Sequence, residues 1–334
     1  MFTKFKFRSV AILLLVVFAL SNTACDNTEL KSGISDFQQS VSLASSSVGT
    51  YFTEMNQFER DLYLQDVLLN PQAKVRPRWT THPVTMVTTP GLFGPFHEES
   101  IKARIDAITL LGRYGERLAA LAGTDSPERF NSAAQTLSTN FFNLQTTFQS
   151  LAGSDPSVRD FISPVGQIAG AIGKMILEKK RDQKLRIAIA EATPAVRAVI
   201  NKLEEDLEVV IVAQRLTGNA QSLTHLVESY NCSVDPAFST RCPKPPRSLS
   251  LEQRRDLLNK INEAAHRYEL FKANNPAEVI SKLRDAHEAL VEYAEDRSPQ
   301  NLTALIASLD SFRSSAQQVA DAIIQIRNLK RGAA

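Results

Sequence analysis

A repeating pattern of apolar residues near the start of the chain constrains the fold more than any other feature. Between residues 30 and 62 an apolar side chain recurs at alternating intervals of four and three residues. This spacing places those side chains along one side of an α-helix that packs lengthwise against other helices. We therefore predict a helix over residues 28–69, ended by Asn70-Pro71, because proline disfavours a helical conformation in the residue before it. The apolar positions are Leu30, Ile34, Phe37, Val41, Ala44, Val48, Tyr51, Met55, Phe58 and Leu62.

Later segments repeat the helical spacing and carry helix-start signals. Ser250 followed by Gln253 is typical of a capping box, and Asn275-Pro276 and Ser298-Pro299 each place an N-cap residue before a first-turn proline. Because the connections between these helices are short, neighbouring helices should run antiparallel. The predicted fold is all-α, an elongated multi-helix bundle with long, antiparallel, heptad-patterned helices. Further helices are predicted with apolar positions from Phe130 to Leu151, over residues 164–192, over 193–218, around Leu223 and Val227, over 251–273, and after each of the two proline signals. The inward apolar positions of the last two helices are Val279, Leu283, Ala286, Leu290 and Tyr293, and then Leu302, Leu305, Leu309, Phe312, Ala316, Val319, Ile323 and Ile326.

A proline-rich arm, residues 71–99, interrupts the helical pattern. Its prolines exclude a helix, and only the stretch VTMVTT could form a short strand. The arm carries Trp79, which is the only tryptophan, and also Phe93 and Phe96. Irregular segments of this length in a compact domain are usually either functional or disordered. Two interpretations remain: the arm lies across the helices with its aromatic rings covering the core, or it binds a partner.

The charge of the chain gives no electrostatic reason to expect a nucleic acid partner. The 334 residues include 38 Lys and Arg and 36 Asp and Glu. Three of the basic residues, Lys4, Lys6 and Arg8, precede the first acidic one, and without them 35 basic residues stand against 36 acidic ones. A nearly neutral chain lacks the basic surface that binds phosphate backbones.

The first 24 residues have the organisation of an export signal. The three basic residues are followed by an apolar run of about 11 residues, which is too short for a permanent membrane span. Thr23-Ala24-Cys25 then resembles the bacterial lipoprotein signal, in which the chain is cleaved before a cysteine whose sulfur carries a diacylglycerol. Asn22 departs from this pattern, which usually has an aliphatic residue there. Ordinary cleavage after Ser21 therefore remains an alternative.

This resemblance implies that Cys25 is lipidated and that the chain lies on the periplasmic side of a bacterial cell envelope. Asp26 follows the cysteine, and in the enterobacterial lipoproteins that the signal resembles, an aspartate there favours the inner membrane over the outer. Exported proteins oxidise cysteine pairs, so Cys232 and Cys242 are predicted to form a disulfide, with two free thiols as the alternative.

Motifs for catalysis or metal binding are incomplete in this sequence. The glycine-rich stretch 166–175 resembles a phosphate-binding loop but has Ile168 and Met175 where glycine and Ser or Thr are required. Glu263 and His266 match half of a di-metal site on a bundle helix, and no second such pair occurs. We therefore predict no enzymatic activity, no cofactor and no metal.

An apolar, glycine-rich segment, residues 161–177, allows two interpretations. Gly166, Gly170 and Gly173 are spaced to share one helix face, which permits close approach of a neighbouring backbone. Basic residues follow, among them Lys179 and Lys180, and these could meet anionic lipid headgroups. The segment is predicted to be either a buried bundle helix whose glycines seat a neighbour or a helix that contacts the membrane.

These inferences define a domain map and two functional hypotheses. The map comprises a signal peptide (1–24), the lipid-anchor cysteine and long first helix (25–70), the proline-rich arm (71–99) and the bundle (100–331), which includes a disulfide loop (231–249) and forms a single domain with residues 28–70. The first hypothesis is a lipid-anchored scaffold, adaptor or binding module with an envelope protein partner. The second is a membrane-active protein, similar in organisation to bundle-type pore formers, that inserts residues 161–177. The sequence does not indicate an oligomeric state.

Overall fold

The structure, a computed structural model, describes most of the chain. It covers residues 6–69, 74–77, 80–81, 88–89, 91–92, 98–122, 127–180, 184, 187–208, 215–235, 237–238, 242 and 249–332. Only the backbone is described for residues 6–36, 80–81, 88–89, 118–122, 127–129, 188–189, 294 and 330–332. The fold is an all-α helical bundle, as predicted. Its helices are α1 (Lys6–Leu69), α2 (Glu98–Ala122), α3 (Pro127–Leu151), α4 (Arg159–Leu177), α5 (Thr193–Glu205), α6 (Thr217–Val234), α7 (Leu251–Ala273), α8 (Pro276–Glu295) and α9 (Pro299–Gly332).

Helix α1 forms the centre of the bundle and packs against α2, α6 and α9. Every predicted apolar position from Phe37 to Leu62 is buried in the shared core, and the helix ends at Leu69, as predicted. Its start differs from the prediction, because helical backbone begins at Lys6 rather than near residue 28. Residues 6–28 contain no proline or glycine that would interrupt a helix.

The pairing of helices follows the predicted antiparallel arrangement where connections are short. Helices α3 and α4 run antiparallel, because the Phe148 ring stacks on Phe161 at 4.8 Å while the hydroxyl of Ser138 donates to the Ala169 carbonyl at 3.0 Å. Helices α1 and α9, which are far apart in sequence, run parallel. Phe37 contacts Phe312, and further along both helices Arg327 Nε donates to the Glu54 carboxylate at 2.7 Å.

The later helices begin where their capping signals predict. The Ser250 hydroxyl accepts a hydrogen bond from the Gln253 backbone N–H, and the Gln253 side chain accepts one from the Ser250 N–H, which completes the capping box of α7. Asn275 caps α8 before a first-turn proline. The apolar positions predicted for α8 and α9 are all buried.

The middle of the chain departs from the sequence-based prediction. The helix expected over residues 164–192 instead begins at Arg159 and ends at Leu177, where the backbone of Glu178 is extended. The Glu178 carboxylate accepts hydrogen bonds from the N–H groups of Lys179 and Lys180, so a side chain takes the place of helical carbonyls. A π-helical turn, Ala188–Ala192, then leads directly into α5.

The predicted helix over residues 193–218 is also wrong in extent. Helix α5 ends at Glu205, and Gly218, expected to end that helix, lies in the first turn of α6. The short helix expected around Leu223 is 18 residues long, and in it Leu226 is buried whereas Val227 is exposed. Apolar spacing alone could not distinguish one long helix from two successive ones in this region.

Parts of the proline-rich arm are held against α1. Thr80–Thr81 and Thr88–Thr89 pair as a short antiparallel ladder. Arg60 Nε donates to the Leu92 carbonyl at 3.1 Å, and the Tyr63 hydroxyl donates to the Lys74 carbonyl at 3.3 Å. These contacts support the interpretation of an arm that lies across the helices. The three aromatic residues proposed to act in the arm, Trp79, Phe93 and Phe96, lie outside the described residues.

Candidate functional site

A cleft between α1, α6 and α7 is the strongest candidate for a binding site. It has a volume of about 270 Å³. Its wall combines apolar side chains with four charged ones. We name the cleft the Arg267 cleft, because Arg267 is the most buried of the four charged residues. The lining residues are Phe58, Asp61, Leu62, Leu64, Gln65, Leu226, Lys260, Glu263, Ala264 and Arg267.

The helical register explains why charged and apolar groups meet in this cleft. Phe58 and Leu62 belong to the apolar side of α1, and Asp61 lies at the edge of that side. Helix α7 runs antiparallel to α1, because Phe271 contacts Phe58 and Lys260 contacts Gln65. Positions 260, 263, 264 and 267 of α7 therefore lie on one helix face and form the opposite wall.

Arg267 is the key electrostatic feature of the cleft. Its side chain is only 4% exposed, and Nη1 lies 3.0 Å from Asp61 Oδ2 and 3.5 Å from Glu263 Oε1. The guanidinium carbon lies 4.9 Å from the centre of the Phe58 ring, which is a cation–π contact. Among the described residues, neither Nε nor Nη2 has a hydrogen-bond partner. Both atoms are themselves buried, so they are unpaired donors that cost the fold free energy rather than groups open to the cleft.

A second cleft lies between α2 and α3 and has a volume of about 280 Å³. Polar side chains dominate its wall, including Asp106, Arg113 and Asn140. Asp106 is already paired with Lys102 in an exposed ion pair between successive turns of α2. Exposed groups of this kind contribute little binding energy, so the Arg267 cleft is the better candidate.

Two other buried ion pairs fix helices rather than form a cleft. Arg215 Nε and Nη2 each lie 2.6 Å from a carboxylate oxygen of Glu59, and both side chains are 1% exposed. Burial raises the pKa of Glu59, and the charge of Arg215 and the amide of Asn219 oppose that shift. The pair joins the turn that precedes α6 to α1.

Arg104 forms the second pair and joins three elements of the bundle. Its Nε lies 2.8 Å from Asp206 Oδ2 after α5, and Nη1 lies 3.4 Å from Asp155 Oδ2 in the turn before α4. Burial alone would raise the pKa of Asp155, but hydrogen bonds from Ser100 and Ser157 and the charge of Arg104 together lower it.

His287 is a buried imidazole in the contact between α2, α5 and α8. Its ring lies 6.0 Å from the ring of Tyr114, and neither ring nitrogen has a hydrogen-bond partner among the described residues. Burial, reinforced by the charge of Arg197, lowers the pKa of His287 to about 4. The imidazole is therefore neutral at neutral pH and acts as part of the core.

The cysteines lie on two different parts of the fold. Cys232 and Cys242 form a disulfide, as predicted. It closes a loop from the last turn of α6, and both half-cystines are buried. Cys25 and Asp26 lie within the helical backbone of α1, and their predicted roles in lipidation and sorting remain predictions.

The three glycines of α4 do not share one packing surface. A side chain at Gly166 would meet Gln145 of α3, whereas Gly170 is exposed and has no neighbouring atom within 4 Å of an added Cβ. At Gly173 an added Cβ would lie 3.9 Å from the Ser138 hydroxyl, an ordinary contact. Only at Gly166 would an added Cβ meet a neighbouring helix closely, and the atoms that it meets belong to the end of the flexible Gln145 side chain. The interpretation that glycines in this segment seat a neighbour therefore has support at one position of three, and from a side chain rather than from a neighbouring backbone.

Most apolar side chains of α4 face the interior of the bundle, and Leu177 at its end is exposed. Phe161, Val165, Ile168 and Met175 are buried, so membrane insertion would require α4 to leave α3 and α5. Among the residues whose side chains are described, no helix combines the length and the apolar character needed to cross a bilayer. The membrane-active hypothesis stays a prediction.

Glu263 and His266, which match half of a di-metal site in the sequence, do not act together in the fold. Glu263 lies beside Arg267 in the cleft, and His266 is exposed. Within the described part of the chain, no group of three His, Cys, Asp or Glu side chains is arranged as metal ligands. Sequence reasoning singled out Glu263 but missed Arg267, although their separation of four residues on one helix signals an ion pair.

Comparison with known proteins finds no relative of this chain. No protein-family model, no curated protein and no solved structure matches the chain. Function must therefore be argued from the residues themselves.

Proposed function

We propose that this chain is a non-enzymatic, lipid-anchored binding module or scaffold on the periplasmic side of a bacterial cell envelope, with an envelope protein partner. The membrane contact would be a lipid on Cys25, and Asp26 favours the inner membrane. The motivating feature is the signal-like N-terminus, with its short apolar run and its Thr23-Ala24-Cys25 sequence.

The observation that carries the proposal is the continuity of α1. Cys25 and the buried core residues Phe37 to Leu62 belong to one uninterrupted helix. At 1.5 Å per residue, the sulfur of Cys25 is attached about 18 Å along the helix from Phe37. A lipid there would hold the bundle close to the membrane surface through its central helix, without a long linker.

The bundle itself supports a binding role. The Arg267 cleft is open to solvent and offers a partly apolar surface with a buried charge in its wall, a combination found in small binding sites. Described parts of the proline-rich arm lie against the same helix, α1, within the turns that contribute Arg60 and Tyr63. Arg60 and Tyr63 lie on the opposite side of α1 from Phe58, Asp61 and Leu62, so the arm and the cleft occupy different faces of this helix.

Membrane attachment is tested by comparing Cys25→Ser with a matched neighbour, Asn27→Ser, in a Gram-negative host. We expect the unmodified chain and Asn27→Ser to incorporate an alkyne-labelled palmitate and to stay in the membrane fraction after a high-salt wash. Cys25→Ser should lose the label. No cleaved form of this variant should be found in the membrane fraction. An unlabelled parent chain, or Cys25→Ser that still carries label, would contradict the proposal.

A further inference from the structure

One end of the bundle lies close to Cys25. Helix α2 runs antiparallel to α1, because residues later in α2 contact earlier residues of α1. Ala122, the last residue of α2, is therefore level with residue 30 of α1, about 8 Å from Cys25 along the helix axis. The contacts that set this register are Thr109 with Ser45 and Gly115 with Phe37.

The segment that follows α4 lies at this same end. Helix α3 begins shortly after α2 ends, and α4 runs antiparallel to α3, so Leu177 at the end of α4 lies beside the start of α3. Lys184 fixes this position. Its ammonium donates a hydrogen bond to the Asn131 side chain and lies 5.0 Å from the centre of the Phe130 ring, near the start of α3. We name residues 177–180 the α4 tip.

The α4 tip exposes an apolar side chain beside positive charge. Leu177 is 83% exposed, and Lys179 and Lys180 are exposed next to it. The Glu178 carboxylate accepts hydrogen bonds from the backbone N–H groups of both lysines. In the sequence, residues 178–187 include five basic and two acidic ones. Exposed apolar groups next to a surplus of positive charge are typical of protein surfaces that contact anionic lipid headgroups.

A second turn at this end carries the opposite charge and restricts the orientation. Helix α9 runs parallel to α1, so its start at Pro299 lies toward Cys25. In the turn before α9, Glu295 and Asp296 are exposed together with one basic residue, Arg297. An anionic surface repels the two carboxylates and attracts the lysines of the α4 tip. The bundle should therefore tilt so that the α4 tip is the side nearer the membrane.

We infer that the α4 tip rests on the headgroups of anionic lipids in the membrane that holds Cys25. This inference rests on the proposed function, because the lipid anchor brings this end of the bundle to the membrane, and it names the class of lipid that the bundle contacts. The contact differs from insertion of residues 161–177. Only Leu177 and the two lysines touch lipid, and the buried side chains of α4 stay in the core.

Photo-cross-linking measures this contact at single positions. Benzoylphenylalanine replaces Leu177 or, as a matched control, Leu251, which is 86% exposed at the start of α7 and lies at the opposite end of the bundle. The full chain is expressed in a Gram-negative host, and the mature protein is reconstituted in vesicles of phosphatidylcholine with or without phosphatidylglycerol. In vesicles with about 30% phosphatidylglycerol, position 177 should form about fivefold or more lipid adducts than position 251. Neutral vesicles or about 0.5 M salt should remove most of this difference.

A pair of charge substitutions tests whether the lysines make the contact. Lys179→Gln combined with Lys180→Gln should lower the lipid adducts at position 177 about fivefold or more in the anionic vesicles. Arg255→Gln combined with Lys272→Gln removes the same charge from exposed positions of α7, away from this end, and should leave the adducts unchanged. Circular dichroism checks that both double variants keep the parental helix content.

Three outcomes would overturn the inference: no lipid adduct at position 177, equal adducts at positions 177 and 251, or equal adducts in neutral and anionic vesicles. Failure of the proposed anchor is detected separately, because the mass of the N-terminal peptide from the same sample shows whether Cys25 carries a lipid. If Cys25 is unmodified, coupling its thiol to a maleimide-bearing lipid supplies an anchor at the same position. The same comparison of vesicles then decides whether the α4 tip contacts the headgroups.

Discussion

Two glycine-to-alanine substitutions should change the stability of the bundle in opposite directions. Gly112 of α2 faces Val41 of α1, and an added Cβ would lie 2.7 Å from both Val41 Cβ and Cγ2. Rotation of the Val41 side chain cannot relieve this contact, because the Cβ atom is fixed to the backbone of α1. Gly170 of α4 is exposed, and an added Cβ there would have no neighbour within 4 Å.

The magnitudes follow from two opposing effects. Alanine is favoured over glycine inside a helix by about 1 kcal/mol, and this gain applies at both positions. At Gly112 the new carbon atom must move from 2.7 Å to an ordinary carbon contact near ~3.7 Å, so α1 and α2 must separate by about 1 Å. Overpacking of this kind costs about 1–3 kcal/mol of folding free energy. This cost exceeds the gain in helix propensity unless the overpacking cost is near about 1 kcal/mol. Gly112→Ala should be destabilised by about 1 kcal/mol, and Gly170→Ala stabilised by about 1 kcal/mol.

Urea unfolding followed by circular dichroism at 222 nm measures both changes against the parent chain. The two midpoints should move in opposite directions at an unchanged slope, because neither substitution alters the surface exposed on unfolding. Gly112→Ala at or above parental stability would refute the close approach of α1 and α2. Destabilisation by Gly170→Ala would show that the exposed face of α4 contacts something in the native protein.

Three further variants test buried features of the bundle. The pKa of His287 is about 4 when folded and about 6.5 when unfolded, so the unfolded state binds the proton first and stability falls as the pH drops. Between pH 7.5 and pH 5 the parent chain should lose about 2 kcal/mol more than His287→Phe, and equal pH slopes would contradict this. Replacing both Cys232 and Cys242 with serine should cost up to about 3 kcal/mol, because the disulfide closes a loop of ten residues, and unchanged stability would contradict a closed loop in the parent. Glu59→Ala leaves the Arg215 charge buried and unpaired and should cost about 3–5 kcal/mol in thermal or urea unfolding, whereas a change below about 1 kcal/mol would show that water reaches the pair.

The sequence predicted those helices whose boundaries are encoded locally. The apolar side of α1, the capping box at Ser250 and the first-turn proline after Asn275 each specify a helix face or a helix start within a few residues. The break after Leu177 was not predicted, because it depends on hydrogen bonds from two backbone N–H groups to the side chain of Glu178. Nothing in the apolar spacing distinguishes that arrangement from a continuing helix.

The Arg267 cleft could not be read from the sequence, because it depends on which helices become neighbours. Arg267 and Asp61 are separated by 206 residues, and their contact requires α7 to lie antiparallel against the end of α1. Similarly, the glycine spacing in α4 suggested a close helix approach, whereas the tightest approach lies between Gly112 and Val41. Local sequence patterns indicate which face of a helix can pack. Long-range packing determines which other helix that face contacts.

The mass of the mature N-terminus tests the central proposal most directly. The full chain, purified from membranes of a bacterial host and digested with a protease, should give a first peptide that begins at Cys25 and carries a thioether-linked diacylglycerol. A mature chain that begins at Asn22 with an unmodified Cys25 would instead indicate ordinary cleavage after Ser21 and would contradict the lipid anchor.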